Sequence, residues 1–241
     1  MAEWYKSWFD TEYYNLLYQH RDNSEARIFI ENLVKQIPHM ESSKVLDLAC
    51  GEGRHSNVLH DLGFEVTGID ISPNRIKAAT SLTSDKLDFF IHDMQDVFRI
   101  NYFDIVVNLF TSFGYFDCPK MEKKIAQSIF ANLKKGGYFL IDYLNTSLVS
   151  KGLDVHEEKM VGNVQFKINK FISGDWIIKE IIVCEGQKCR IFEEHVKLYS
   201  HSDMSSLFES VGFHLVNTFG NYNLNEYQEN ESTRMILLFR K

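Results

Sequence analysis

A glycine-rich turn and an acidic residue that ends the next apolar segment form the most informative chemical pattern in this chain of 241 residues. The turn Gly51–Gly53 follows a short apolar segment, and Asp70 ends a second apolar segment that begins at Phe64. Glycines allow a ligand to approach the backbone closely. A carboxylate at the end of the second strand can accept hydrogen bonds from a ribose diol. The pattern predicts a strand, turn, helix and strand, which is half of a nucleotide-binding α/β fold.

The spacing of the glycines favours one kind of nucleotide over another. A dinucleotide-binding turn reads G-x-G-x-x-G, with the pyrophosphate at the start of the helix. Here Ser56 occupies the third position, and Asp47 and Glu52 would repel a phosphate. A cationic ligand would tolerate both acids. An enzyme that uses NAD remains the alternative.

The segment 47–54, D-x-A-C-G-x-G-R, resembles the first motif of class I S-adenosylmethionine-dependent methyltransferases. Three further signals follow in that family's order. They are His92-Asp93-Met94 after a predicted third strand, the apolar run 103–110 that predicts a buried parallel strand, and a Gly-Gly turn at 136–137 before a fifth strand. The resemblance covers about residues 40–145, and its layout is nearest to small-molecule members such as sugar N-methyltransferases.

The resemblance implies S-adenosyl-L-methionine as the cofactor. It places the adenine amino group at Asp93 and a covering tyrosine at Tyr14, whose alternative role is helix packing. Tyr115 is the candidate catalytic residue because it could hydrogen-bond a substrate amine or hydroxyl, with loop packing as the alternative. The implied cofactor-binding set is Tyr14, Ala49, Cys50, Gly51, Gly53, Arg54, Asp70, Ile71, Asp93, Met94, Asn108, Leu109 and Phe110.

The expected fold is a doubly wound, mostly parallel, seven-stranded Rossmann-like α/β sheet with an inserted antiparallel β meander. Residues 1–40 are expected to form N-terminal helices, at 9–18 and at 24–36, that act as a lid. The methyltransferase core spans 41–148 and 200–241. Period-two alternation predicts three hairpin-linked strands within the insertion 149–199. A helix is predicted at 202–211, with Ser202 as its N-cap.

Composition restricts the partners and the compartment. The net charge of −7 argues against a dominant nucleic-acid surface. No run of 18 apolar residues predicts a membrane span, and the N-terminus lacks the layout of a signal peptide. Cys184 and Cys189 are five apart without a matching second pair, which argues against a zinc site. All four cysteines are expected to be reduced thiols in a cytoplasmic protein. A homodimer through the β insertion is left open.

The sequence therefore predicts a methyltransferase acting on nitrogen or oxygen of a small-molecule acceptor. The Asn/Asp-Pro-Pro-Tyr/Phe motif of base-amine methylation is absent after the fourth strand, where Asn108 is followed by Leu109-Phe110-Thr111. Arg234, at the start of the last strand, is a candidate for binding a substrate carboxylate. An RNA or protein methyltransferase and a non-catalytic cofactor-binding protein are the alternatives.

Overall fold

The computed structural model describes residues 4–19, 23–37, 43–152 and 155–241. These residues form eight α-helices and eleven strands. The helices are α1 Trp4–Trp8, α2 Glu12–Tyr18, α3 Asn23–Gln36, α4 Arg54–Asp61, α5 Pro73–Ala79, α6 Pro119–Asn132, α7 Thr146–Val149 and α8 His201–Glu209. The strands are β1 Lys44–Leu48, β2 Glu65–Asp70, β3 Leu87–Ile91, β4 Phe103–Asn108, β5 Leu133–Leu144, β6 Val155–Val161, β7 Val164–Ser173, β8 Trp176–Glu185, β9 Lys188–Lys197, β10 His214–Phe219 and β11 Arg234–Arg240.

Seven strands form the main sheet, in the order β10-β11-β5-β4-β1-β2-β3. Strands β1 to β5 run parallel, and β11 lies antiparallel between β5 and β10. This topology confirms the predicted α/β fold. The chain reverses the direction of strand order between β1 and β4. Open α/β sheets bind ligands at the carboxyl ends of the strands beside such a switch point.

Both faces of the central strands of the main sheet are buried, as their apolar side chains require. One hydrophobic cluster joins β1, β2 and β4 to α3 and α4 through side chains such as Phe29, Leu33 and Leu59. A second cluster joins the other face to α6 and α8 through Ile125, Ile129 and Phe208. The rigid sheet between these clusters fixes the positions of the strand ends that carry the site.

A second sheet, of order β6-β7-β8-β9, follows α7 and is fully antiparallel. The prediction of three strands was wrong, because β6 precedes them. The segment 155–161 is mostly polar, and its side chains are exposed or half-buried, so it carries no alternating apolar pattern. It is ordered by pairing along its whole length with β7.

The prediction that all four cysteines are reduced was also wrong. Cys184 and Cys189 form a disulfide. They occupy directly opposite positions on β8 and β9, next to the turn that joins the two strands. Cys50 and Cys118 are free thiols.

Helix boundaries differ from the sequence prediction at two places. Helix α8 begins after Ser200, not Ser202, because the hydroxyl of Ser200 accepts from the backbone of Asp203 and the Asp203 carboxylate accepts from the backbone of Ser200. The helix predicted at 9–18 is α2, which begins after its cap Thr11, and α1 at Trp4–Trp8 precedes it and was not predicted. Pro38, the residue that we expect to end α3 because proline cannot continue a helix, lies outside the described residues. No helix in the described ranges is long and apolar enough to cross a membrane.

Candidate cofactor and acceptor site

A cavity of about 700 Å³ opens at the carboxyl ends of β1, β2 and β4. The main sheet forms its floor, and β9 of the second sheet borders one side. The N-terminal helices α1 and α2, named the lid after their expected role, partly cover it. All but two of the predicted site residues line it. These are Tyr14, Ala49, Cys50, Gly51, Arg54, Asp70, Ile71, Asp93, Met94, Leu109, Phe110 and Tyr115.

Asp70 is held at the cavity wall by two backbone amides. Its Oδ2 accepts from the amide of Gly51 at 2.9 Å, and its Oδ1 accepts from the amide of Ser72 at 2.9 Å. Each carboxylate oxygen has a second lone pair. The carboxylate is therefore fixed in place and can still accept hydrogen bonds from a diol.

The backbone of the glycine turn has a positive φ angle and a close neighbour at Gly51, and both favour glycine there. Gly51 has φ of +58°, and a Cβ there would lie 2.5 Å from Nη2 of Arg75, a side chain that also lines the cavity. Ala49, two residues earlier, has φ of +57° without being glycine. Left-handed backbone at non-glycine residues is concentrated at functional sites. The turn thus brings bare backbone to the cavity next to Asp70.

Gly53 and Asn108 do not line the cavity. Gly53 caps α4 with φ of +81°, and a Cβ there would lie 2.6 Å from the ring of Phe89. Asn108 is buried, and its Nδ2 donates to the carbonyl of Leu48 at 3.1 Å. Gly53 thus packs against β3, and Asn108 bonds to the end of β1. Their predicted contact with the cofactor stays a prediction.

Asp93 and Met94 line the end of the cavity beyond β3, together with His92 and Leu82. The carboxylate of Asp93 is held by its own loop, because its Oδ1 accepts a hydrogen bond from the backbone amide of Gln95 at 2.9 Å. An apolar side chain beside an anchored carboxylate suits a flat heterocycle that carries an amino group. The placement of adenine beside Asp93 and Met94 stays a prediction.

The loop after β4 forms the opposite end of the cavity and is held by Asp142. Phe110 and Thr111 have φ of +62° and +59°. The fully buried Asp142 accepts from the Phe110 amide at 2.9 Å and from Nε of Arg234 at 2.7 Å. Nη2 of Arg234 in turn donates to Oγ1 of Thr111 at 2.9 Å. Arg234, a candidate for binding a substrate carboxylate, pairs here with a carboxylate of the protein and fixes this loop.

Tyr115 lies in the same loop, with its ring against Trp4 at 5.0 Å between centroids. Its hydroxyl donates to the carbonyl of Thr111 at 2.5 Å. Towards a substrate this oxygen would act as an acceptor. The predicted contact with an amine or hydroxyl is compatible with that geometry.

The lid places Tyr14 on the cavity. Its ring lies 4.9 Å from the guanidinium of Arg75, and only 9% of its surface is exposed. Asp10, between α1 and α2, ties the lid to the core by accepting from Nδ2 of Asn74 at 2.7 Å and from the hydroxyl of Ser72. The lid is therefore joined to the segment that follows Asp70.

Two groups beneath the turn have shifted pKa values. Burial raises the pKa of Asp47 to about 7, although the hydrogen bond from the Ser56 hydroxyl at 2.6 Å opposes the shift. Burial also raises the pKa of the Cys50 thiol well above its usual range. Asp47 is therefore partly protonated near neutral pH, and Cys50 remains a thiol.

Sequence analysis missed four residues that shape the site: Asp10, Arg75, Asp142 and Glu194. Each acts through a partner far away in sequence, such as Arg234 for Asp142 and Trp8 for Glu194. No local motif marks such a residue. A charged residue in an apolar strand, as at Asp142, was the one signal available.

Comparison with known proteins supports one family. A protein-family model described as a methyltransferase domain matches residues 18–218. The chain is 35% identical over 105 residues to a putative methyltransferase, YqeM, of Bacillus subtilis strain 168, covering 42% of each chain. It is 31% identical over 134 residues to a glycine/sarcosine N-methyltransferase of Aphanothece halophytica, covering 54% of this chain and 49% of the relative. The chain thus spans about half the length of the curated relatives it matches.

Solved structures share the fold along nearly the whole chain. An S-adenosylmethionine-dependent methyltransferase from Clostridium acetobutylicum superposes with a TM-score of 0.78 at 18% identity, covering 95% of both chains. A sugar N-methyltransferase, KedS8, from Streptoalloteichus superposes with a TM-score of 0.72 at 19% identity, covering 95% of this chain and 92% of the other.

The fold is that of class I S-adenosylmethionine-dependent methyltransferases. The chain belongs to the methyltransferase-domain family. The residues present fit that cofactor, because the amide-anchored carboxylate of Asp70 and the open glycine turn suit an adenosine. The acids Glu52 and Asp70 on the same wall disfavour a pyrophosphate.

Proposed function

We propose that the protein transfers a methyl group from S-adenosylmethionine to nitrogen or oxygen of a small-molecule acceptor. The observation that carries this proposal is the covered cavity. The space beyond the glycine turn is bounded by α1, the loop after β4 and β9, which leaves room for a small ligand beside the cofactor. A polymeric acceptor would have to reach the cofactor past these three elements.

Aromatic side chains dominate the acceptor end. Trp4, Tyr5, Phe9, Tyr115 and Phe116 line the cavity there, and Trp4 lies 5.3 Å from Phe9 between ring centroids. Such walls bind apolar or flat molecules and exclude water. They support an acceptor with an apolar or ring-shaped body.

When bound, the cofactor supplies a methyl group on a positively charged sulfur. The protein then has to orient the acceptor and keep the site dry. Tyr115 is placed to accept a hydrogen bond from the acceptor, since its own proton goes to the Thr111 carbonyl. The Asp142–Arg234 pair holds that loop in its left-handed conformation.

The proposal is tested by following S-adenosylhomocysteine formation from S-adenosylmethionine with three acceptor pools. The pools are small amines and phenols, bulk tRNA, and a peptide library. We expect turnover with small molecules alone. Asp70→Ala should reduce cofactor affinity by roughly 10- to 100-fold through loss of charge-assisted hydrogen bonds.

Asp88→Ala is the matched control, because Asp88 is an exposed aspartate on β3. This variant should behave as wild type. Turnover with tRNA or peptides alone would contradict the proposal. Tight cofactor binding without turnover in any pool would favour a non-catalytic binding protein.

A further inference from the structure

Glu194 lies on β9, where the lid meets the second sheet, and the sequence gives no sign of its role. Its Oε1 accepts from Nε1 of Trp8 at 2.8 Å and from the hydroxyl of Tyr18 at 2.8 Å. Nζ of Lys179 lies 3.7 Å from its Oε2. The side chain is 16% exposed and borders the cavity. One carboxylate thus joins a residue of α1 and a residue of α2 to the sheet.

The lid depends on such contacts for its order. Helix α1 has five residues and α2 has seven, and isolated helices of fewer than about 12 residues are marginal in water. Trp8, Tyr14 and Leu17 form one hydrophobic cluster with Phe166 and Ile181 of the second sheet. Docking on the sheet therefore holds the lid, and hydrogen bonds to Glu194 fix where on that sheet it docks.

The two residues that bond to Glu194 both contact Tyr14, the tyrosine at the proposed cofactor site. Tyr14 and Tyr18 are four residues apart, so they share one face of α2, and their ring centroids lie 4.7 Å apart. Trp8 also contacts Tyr14, at 5.7 Å. Tyr14 lies in turn against Arg75 on the cavity wall. A shift of Trp8 and Tyr18 would move Tyr14 away from the cavity.

We propose that Glu194 is a positioning residue that latches the lid over the cofactor, acting through Trp8 and Tyr18 on Tyr14. The inference takes the cavity as the cofactor site and does not depend on which acceptor is methylated. It requires an oxygen acceptor at position 194 and two intact donors in the lid. A variant that keeps the side-chain oxygen at position 194 but removes its negative charge can therefore separate the two effects.

Calorimetric titration of S-adenosylhomocysteine tests the latch. Glu194→Gln retains an oxygen that accepts both hydrogen bonds, so its affinity should stay within about threefold of wild type. Glu194→Leu should weaken binding about tenfold or more. Tyr18→Phe, which removes one hydroxyl only, should weaken binding less. The Tyr18 hydroxyl also accepts a hydrogen bond from Nζ of Lys179. Tyr18→Phe combined with Glu194→Leu should therefore lose less affinity than the sum of the two single losses, because both changes remove the Tyr18–Glu194 hydrogen bond.

Glu158→Leu is the matched control. Glu158 is an exposed glutamate of the same sheet, paired with Lys167 at 3.7 Å, and its loss should leave affinity unchanged. Wild-type affinity in both Glu194→Leu and Tyr18→Phe would overturn the latch. Equal losses in Glu194→Gln and Glu194→Leu would also overturn it, since charge would then be the cause. Failure of the wild-type protein to bind S-adenosylhomocysteine would instead refute the placement of the cofactor.

Discussion

Asp47 is a carboxyl group buried directly beneath the glycine turn, with 1% of its surface exposed. Because burial raises its folded-state pKa to about 7, the folded protein holds this proton more tightly than the unfolded chain does. Its contribution to stability is therefore fully present below about pH 4 and is lost as the pH rises to about 7. Asp47→Asn should make the protein more stable than wild type by about 2–4 kcal/mol at pH 8 and by little at pH 4.

Urea unfolding midpoints of both proteins at the two pH values measure this difference. Asp88→Asn, at an exposed position, should show the same difference from wild type at both pH values. If Asp47→Asn were equally stabilised or destabilised at pH 4 and pH 8, the folded-state pKa of Asp47 would not be raised.

At single positions, the sequence predicted residues that lie within one local motif. Gly51, Asp70 and Asp93 follow strands in a known order, and all three line the cavity. Gly53 belongs to the same motif, yet position 53 requires glycine because a Cβ there would collide with the ring of Phe89 on β3. The motif marks the position, and only the packing shows the physical reason for it.

At the scale of elements, the two lid helices are the part of the site with the least stability of their own. Ligand-gating segments come from the less stable parts of a fold. Residues 4–19 should exchange amide hydrogens quickly without ligand. With S-adenosylhomocysteine at a hundred times its dissociation constant they should exchange up to roughly a hundredfold more slowly, if opening requires release of the ligand.

Hydrogen exchange followed by mass spectrometry measures this protection. Strand β6 lies at the edge of the second sheet and should open locally at the same rate in both states. Equal and strong protection of residues 4–19 with and without ligand would show permanently packed helices, and Tyr14 would then be a packing residue.

Elements with a strong apolar pattern were predicted well. Strands β1 to β4 are short apolar runs bounded by turn residues, and a sheet buried on both faces requires such runs. Strand β6 was missed because its order comes from its partner strand. Helix α1 was missed because five residues carry no helical period. The start of α2 was placed too early because it depends on the cap formed by Thr11.

The whole molecule encloses the site between three parts that are distant in sequence. The main sheet carries the carboxyl ends of its strands to the cavity, the N-terminal lid covers them, and β9 of the second sheet supports the lid. Lys197 at the end of β9 donates through its amide to the Gly114 carbonyl at 2.9 Å, which ties that sheet to the loop of Tyr115. A covering role for the N-terminal helices was expected from the family resemblance. The contacts of β9 join sequence positions that show no pattern in common, so they could not be predicted from the sequence.

A crystal structure with S-adenosylhomocysteine tests the central claim, that this enclosed cavity is the cofactor site. The ribose hydroxyls should lie within hydrogen-bonding distance of Asp70, and the adenine beside Asp93 and Met94. The sulfur should face the loop of Thr111 and Tyr115, with Tyr14 over the ligand. A ligand bound outside the cavity, or one with its ribose away from Asp70, would contradict the account.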